Sequence, residues 1–339
     1  MTDDLEHGGA LDQMRLAFPN ASEPWIDLST GINPWSYPVT ELAQANLRNL
    51  PTTQLYDACR DAMAAAIGAK PNALLLSPGS ELIIRLLPDV LQTRRIAILA
   101  PAYGDHASSW ARAGAEIVQA ENPLDYINAV DAIVICHPNN PDGRYFDLDA
   151  VEWARKKLAA RGGWLIVDEA YAELIPDLSL VSKGGEDGLV ILRSFGKFYG
   201  LAGLRLGSVL APSIILEAIA RRLGVWPVSG AALEIGTRAY ADMAWQAEAR
   251  KKLLIAARQL DVALESVGVS VVGGTDLFRL VEVDDAHAQF HHLAEAGVYV
   301  RRFDWSETHL RIGLPATLEA QDKLIGALTL SAGLGAQRR

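Results

Sequence analysis

Cysteine is nearly absent. Two in 339 residues are too few for a disulfide framework, and Cys59 and Cys136 lack the spacing of a metal-ligand pair, so both read as small core residues in a reducing compartment. Long apolar runs are missing too: none approaches the roughly 20 residues of a membrane span, and the opening Met1-Thr-Asp-Asp-Leu-Glu-His7 has no apolar core of a signal peptide. A cytoplasmic protein is expected. There is no basic excess, since 41 acidic against 31 basic residues leave a net charge of -10, which argues against a nucleic-acid or membrane partner. The clusters Arg155-Lys156-Lys157 and Arg250-Lys251-Lys252 sit beside acidic residues in helical patterns and read as solvated faces. Internal repeats, low-complexity tracts and long linkers are also lacking.

What is present suits a large core, because half of the residues are apolar, and the length suggests about two domains. Residues 1–40 read as an arm with the helical patch Leu11 to Phe18. Residues 41–230 read as a larger domain and 231–339 as a smaller one. From about residue 41, short apolar runs alternate with amphipathic stretches. The runs are Ala73 to Leu76, Ile96 to Ala100, Glu116 to Val118, Ala132 to Cys136, Trp164 to Val167, Leu189 to Leu192 and Leu206 to Leu210. Strands apolar on both faces and separated by helices predict an α/β fold, a mostly parallel sheet covered on each side. One helix is marked by Asp147 or Asp149 as cap, a stripe of Val151, Trp153 or Ala154, and Leu158, and a stop at Gly162-Gly163. Beyond Pro212, helices are expected at Ile214 to Leu223 and Ala231 to Val267. Runs at Ser270 to Val272, Phe278 to Val283, Val298 to Arg301 and Leu310 to Ile312, with helices at Ala286 to Ala296 and Thr317 to Leu330, read as a smaller α+β domain on antiparallel strands.

Ligands of parallel α/β sheets bind beyond the carboxyl ends of the strands. Polar groups cluster there in this sequence. Ser77-Pro-Gly79-Ser80-Glu81 opens a helix able to take a phosphate, although alone it is an ordinary capped helix. Pro101-Ala-Tyr103-Gly104 carries an aromatic that could stack on a ring, and His137-Pro-Asn139-Asn140-Pro-Asp142-Gly143 is a turn that could display an Asn. Asp168-Glu-Ala-Tyr171 ends an apolar strand with a carboxylate that needs a cationic partner: a pyridinium nitrogen or a nearby arginine. Last comes Ser194-Phe-Gly-Lys197-Phe-Tyr-Gly-Leu-Ala-Gly-Leu-Arg205. A lysine in a Gly-rich turn, with a hydroxyl three before it and an arginine eight after, can hold the aldehyde cofactor pyridoxal 5′-phosphate.

Taken in order, these elements resemble the fold type I pyridoxal-phosphate enzymes of the class I/II aminotransferase group, over nearly the whole chain. The resemblance implies that Lys197 carries the cofactor, Asp168 pairs with the ring nitrogen, and Asn140 and Tyr171 bond the 3′-oxygen. It implies that Tyr103 stacks on the ring and that Gly79, Ser80, Glu81, Ser194 and Arg205 form the phosphate site. Arg311 matches the arginine that takes the substrate's α-carboxylate.

Within the group, Leu201-Ala-Gly-Leu-Arg-Leu-Gly207 and Pro138-Asn-Asn-Pro141 look like histidinol-phosphate aminotransferases and their cousins, the threonine-phosphate decarboxylases of cobalamin biosynthesis. The arm, with His7-Gly8-Gly9 and Trp25-Ile-Asp-Leu-Ser-Thr-Gly-Ile-Asn33-Pro34, is similar to that of the decarboxylases. That branch implies decarboxylation of L-threonine O-3-phosphate to (R)-1-amino-2-propanol O-2-phosphate, with transamination as the alternative. The substrate contacts it suggests are His7, Gly8, Asn33, Arg301 and Arg311. The bond that breaks is the one perpendicular to the conjugated ring, so substrate anchoring decides which reaction follows. The sequence departs from the pattern at Asp142, where threonine is usual, at Gly196, where a hydroxyl residue is usual, and at Gly31, where some decarboxylases carry Asn. It also departs at Leu50-Pro-Thr52, where a tyrosine usually reaches the neighbouring subunit's cofactor. Tyr56 could take that part, which would make the active unit a homodimer. His287 and His291, at helical i, i+4 spacing beside His292, have no evident third metal ligand and read as a solvated face.

Overall fold

The computed structural model describes residues 8–336. Within them Ser36–Ala247 form one compact unit, and segments 8–35 and 248–336 form a second.

The larger unit is built on seven strands: β1 (Leu74–Ser77), β2 (Arg95–Leu99), β3 (Glu116–Ala120), β4 (Ala132–Cys136), β5 (Trp164–Asp168), β6 (Leu189–Ser194) and β7 (Gly207–Leu210). Their spatial order is β1-β7-β6-β5-β4-β2-β3, and all pairs are parallel except those that β7 makes with β1 and β6. Every residue of β4 is buried, as a strand covered on both faces requires. The covering helices include α1 (Thr53–Ile67), α2 (Ser80–Leu91), α3 (Asp105–Arg112), α4 (Leu148–Ala159), the single turn α5 (Phe195–Phe198), α6 (Ser213–Leu223) and α7 (Gly230–Ala241). Asp147 caps α4 by accepting a hydrogen bond from the Ala150 N–H at 2.9 Å. Its buried stripe is Val151, Ala154 and Leu158, with Trp153 half exposed on the other side.

The helix expected from Ala231 to Val267 is two helices. α7 stops at Ala241, and Asp242 starts α8 (Met243–Ser266), its carboxylate accepting from the Trp245 N–H at 2.9 Å. α7 belongs to the larger unit and packs on α1 so closely that a Cβ at Gly236 would lie 2.9 Å from Cys59 Sγ.

The smaller unit holds an antiparallel sheet of β8 (Ser270–Thr275), β9 (Phe278–Glu282), β10 (Arg301–Arg302) and β11 (His309–Gly313), in the order β10-β11-β9-β8. Helices α9 (Ala286–Glu295) and α10 (Leu318–Ala336) accompany it. The run expected at Val298 to Arg301 divides: Val298–Tyr299 pairs in parallel with Ile26–Asp27 of the arm, while Arg301–Arg302 pairs with β11. The arm is also tied by Gly313 N–H donating to Leu28 C=O at 2.7 Å. No described helix is long and apolar enough to cross a membrane.

Candidate active site

Because β1, β2, β4, β5 and β6 run the same way, their carboxyl ends share one edge of the larger unit. Asp168 and Ser194 close β5 and β6, Tyr103, Asn140, Tyr171 and Lys197 follow the strand ends, and Gly79-Ser80 follows β1.

At β1 the chain turns at Gly79, whose φ of 88° is one that glycine adopts at little cost. A Cβ there would lie 2.8 Å from Arg205 Nη2 and would push the guanidinium aside. The first turn of α2 thus sits beneath the Arg205 guanidinium, and β7 closes in from the side: a Cβ at Gly207 would lie 2.7 Å from the Ser80 nitrogen. Unpaired amides at a helix start beside an arginine form an anion site. Glu81, expected in the phosphate site, pairs with Arg85 at 2.7 Å and has a carboxylate oxygen 3.7 Å from Arg205 Nη2.

Asp168 is the most constrained of these residues. It is 5% exposed; Oδ2 lies 2.9 Å from His106 Nε2, and Oδ1 accepts from the Ala170 N–H at 3.1 Å. His106, on α3 and 1% exposed, is a residue that the sequence reading missed. Its signal is its place in the first turn of α3, three residues after Tyr103 and just beyond the end of β2. Cys136 pairs in register with Asp168. Its sulfur, a His106 nitrogen and an Asp168 oxygen all lie within 4.8 Å of one another. Burial and the Asp168 charge push the Cys136 thiol well above its ordinary range, so it stays protonated.

The ring and turn residues are braced by their neighbours. Tyr103 donates to Asp105 Oδ2 at 2.8 Å and meets the His106 ring edge-on, and burial followed by the Asp105 charge raises its pKa. The Asn140 turn is clamped by the buried Asn139, whose Nδ2 donates to Pro101 C=O at 3.0 Å and to Asp142 Oδ1 at 2.8 Å. Asp142 also accepts from the Arg144 N–H at 3.0 Å, which gives this departure from the family pattern a structural role. Tyr171 is 4% exposed at the start of a short 3-10 turn.

Lys197 lies in α5 between Phe195 and Phe198, both fully buried. Phe195 stacks on Tyr199 at 4.4 Å and Tyr199 on Trp245 at 5.6 Å, so aromatics anchor the turn while the lysine is half-buried. No described hydrogen bond or ion pair engages its amine. Gly196 is a second departure with a structural reason: a Cβ there would lie 2.6 Å from Ala202 Cα, so any larger residue would open the turn. Tyr56, expected to reach a neighbouring subunit, has its hydroxyl accepting the Leu76 N–H of its own chain at 2.9 Å, and burial raises its pKa.

In the smaller unit, Arg301 stands directly across from Arg311 in the β10/β11 register. Arg311 is 7% exposed, donates to Ser29 C=O and lies over the Phe278 ring at 5.2 Å. Gly8 packs on Ser29, where a Cβ would meet the Ser29 oxygen at 2.5 Å, and Asn33 Oδ1 accepts from the Trp35 N–H at 2.8 Å. His7 lies outside the described residues.

Residues 23–328 match the family described as aminotransferase class I and II. A threonine-phosphate decarboxylase of Pseudomonas aeruginosa is 37% identical over 96% of this chain and 97% of its own, and one of a Sinorhizobium species is 37% identical over 97% and 98%. Among solved structures, the histidinol-phosphate aminotransferase of Clostridium acetobutylicum superposes with a TM-score of 0.79 at 20% identity, covering 89% of this chain and 97% of that one.

Proposed function

The chain belongs to the class I and II aminotransferase family, and from that membership we propose that it decarboxylates L-threonine O-3-phosphate to (R)-1-amino-2-propanol O-2-phosphate in cobalamin biosynthesis. It has the fold type I architecture, and its cofactor is pyridoxal 5′-phosphate. The observation that carries the reaction is the end-to-end match to relatives bearing the decarboxylase name.

The residues of the larger unit fit that cofactor. The amides that open α2, the Ser80 and Ser194 hydroxyls and Arg205 would hold its phosphate, and Asp168, fixed by His106, would hold the ring nitrogen in its protonated form. Tyr103 would cover the ring, Asn140 and Tyr171 would bond the 3′-oxygen, and Lys197 would hold the aldehyde carbon. When bound, the group supplies an electron sink for the pair left when a bond to the substrate's α-carbon breaks. Lys197 Nζ, released from the aldehyde carbon when the substrate amine takes its place, would be the acid that returns a proton to the α-carbon after carbon dioxide has left.

The smaller unit supplies the anion contacts. Like charges directly across an antiparallel pair repel, so the Arg301–Arg311 juxtaposition is a cost offset when an anion lies between them. A substrate with both a carboxylate and a phosphate suits that pair, with Gly8 and Asn33 shaping the arm beside it and His7 assigned to the phosphate. The homodimer is part of the proposal and is read by light scattering.

One assay tests the reaction. The protein with pyridoxal 5′-phosphate and L-threonine O-3-phosphate should release carbon dioxide without consuming a keto acid, and borohydride should fix the cofactor's mass on the peptide containing Lys197. Keto-acid consumption without carbon dioxide would identify an aminotransferase of the histidinol-phosphate type. A colourless protein unchanged by borohydride would end the cofactor assignment.

A further inference from the structure

Behind the lysine and the carboxylate lies a second set of charges that the reaction does not use. Arg193 is 3% exposed, Glu169 0% and Glu173 5%. Arg193 Nη1 donates to Glu169 Oε2 and Nη2 to Glu173 Oε1, both at 2.7 Å. Glu169 is held further by the Ser179 hydroxyl at 2.6 Å and the Leu180 N–H at 2.7 Å. One cation thus serves two buried carboxylates, and burial raises the pKa of Glu173.

The place of this triad in the sheet gives it meaning. Asp168 is in register with Leu192, and Glu169 N–H continues the ladder to Leu192 C=O at 2.9 Å. Side chains alternate along a strand, so Arg193 and Ser194 point to opposite faces, as do Glu169 and Asp168. The functional side chains therefore occupy one face, and the triad ties the same two strand ends from the other. Past this point the two segments diverge, one into the 3-10 turns of 172–183 and the other into α5. A buried ion pair is seldom more stable than apolar residues of the same volume, so stability alone gives little reason for a charged triad here. A guanidinium does offer two fixed donor directions that bind two carboxylates at once.

We infer that Arg193 is a positioning residue: through Glu169 and Glu173 it fixes the end of β5 against the end of β6, and so sets Asp168 relative to Lys197. The inference rests on the cofactor reading above. A lysine at position 193 keeps the charge but cannot reproduce the fork, so it separates charge from geometry.

The test uses the full chain loaded with pyridoxal 5′-phosphate, as wild type, Arg193→Lys and Arg193→Met. Thermal unfolding establishes that each variant folds. The expected result is a shift of half a pH unit or more in the titration of the cofactor's visible band, with kcat at least tenfold lower and KM within twofold. Arg193→Lys should lie between wild type and Arg193→Met. Should neither arginine variant fold, Glu173→Gln reads the same band, and an unshifted titration there overturns the inference. A lower melting temperature with unchanged band and kcat also overturns it, as a merely structural role. A wild-type protein with no visible band sinks the cofactor reading itself, and the positioning role with it.

Discussion

His106 is the side chain that meets the Asp168 carboxylate, at 2.9 Å. A carboxylate 5% exposed, with one N–H and one imidazole as described partners, relies on those partners to replace the water it lost. His106→Leu keeps much of the volume and removes a hydrogen bond to a charged group, worth about 1.5–3 kcal/mol. Cofactor affinity should fall roughly tenfold to a hundredfold, at about 1.4 kcal/mol per decade, in a visible-absorbance titration. An affinity within twofold of wild type would show that the imidazole does not matter to Asp168. At this scale the sequence was readable where chemistry interrupts a pattern. Asp168 and Lys197 stand out at the ends of apolar runs, whereas His106 sits on a short polar helix and gains its meaning from a strand 62 residues away. Arg193 and Glu169 could have been paired in advance, since a charge inside an apolar strand needs a partner.

Elements were legible when local signals and burial agreed. α4 has its cap at Asp147, its stripe at Val151, Ala154 and Leu158, and its stop at Gly162. The break at Asp242 escaped because neither glycine nor proline marks it and an aspartate there reads equally well as a surface residue. The split of the run beginning at Val298 depends on which segment each half pairs with, which spacing does not encode. α4 also makes a prediction of its own. Hydrogen bonds from Arg155, with the charges of Arg155 and Lys156, hold the Glu152 carboxyl down to about 2 against the opposing effect of burial. An unfolded glutamate titrates near ~4.3, so the native state binds fewer protons and this contribution is present above that value and lost as pH falls toward about 2. Glu152→Gln should therefore unfold at lower urea than wild type at pH 7, with the gap narrowing below pH 4.5. A gap as wide at pH 3 as at pH 7 would reject that account.

For the whole molecule, the division of labour between the two units makes a prediction about where ligands leave their mark. The cofactor contacts proposed above belong to residues 36–247, while the anion contacts proposed for the substrate, Arg301 and Arg311 with the arm residues Gly8 and Asn33, belong to the other unit. Binding stabilises what it touches, so protection from amide exchange should arrive in two steps. Pyridoxal 5′-phosphate alone should slow exchange at 77–81, 103–106, 168–171 and 194–205. Adding L-threonine O-3-phosphate to a slowly reacting variant such as Lys197→Ala should then slow exchange at 26–33 and 298–313, with little further change at 77–81. Hydrogen–deuterium exchange read by mass spectrometry resolves these segments. If the second addition protects 77–81 and leaves 298–313 untouched, the substrate's phosphate is held by the α2 amides, and Arg301 and Arg311 lose their assigned part. If neither addition changes any of these segments, the charges at the strand ends are structural, and the site must be sought elsewhere in the chain.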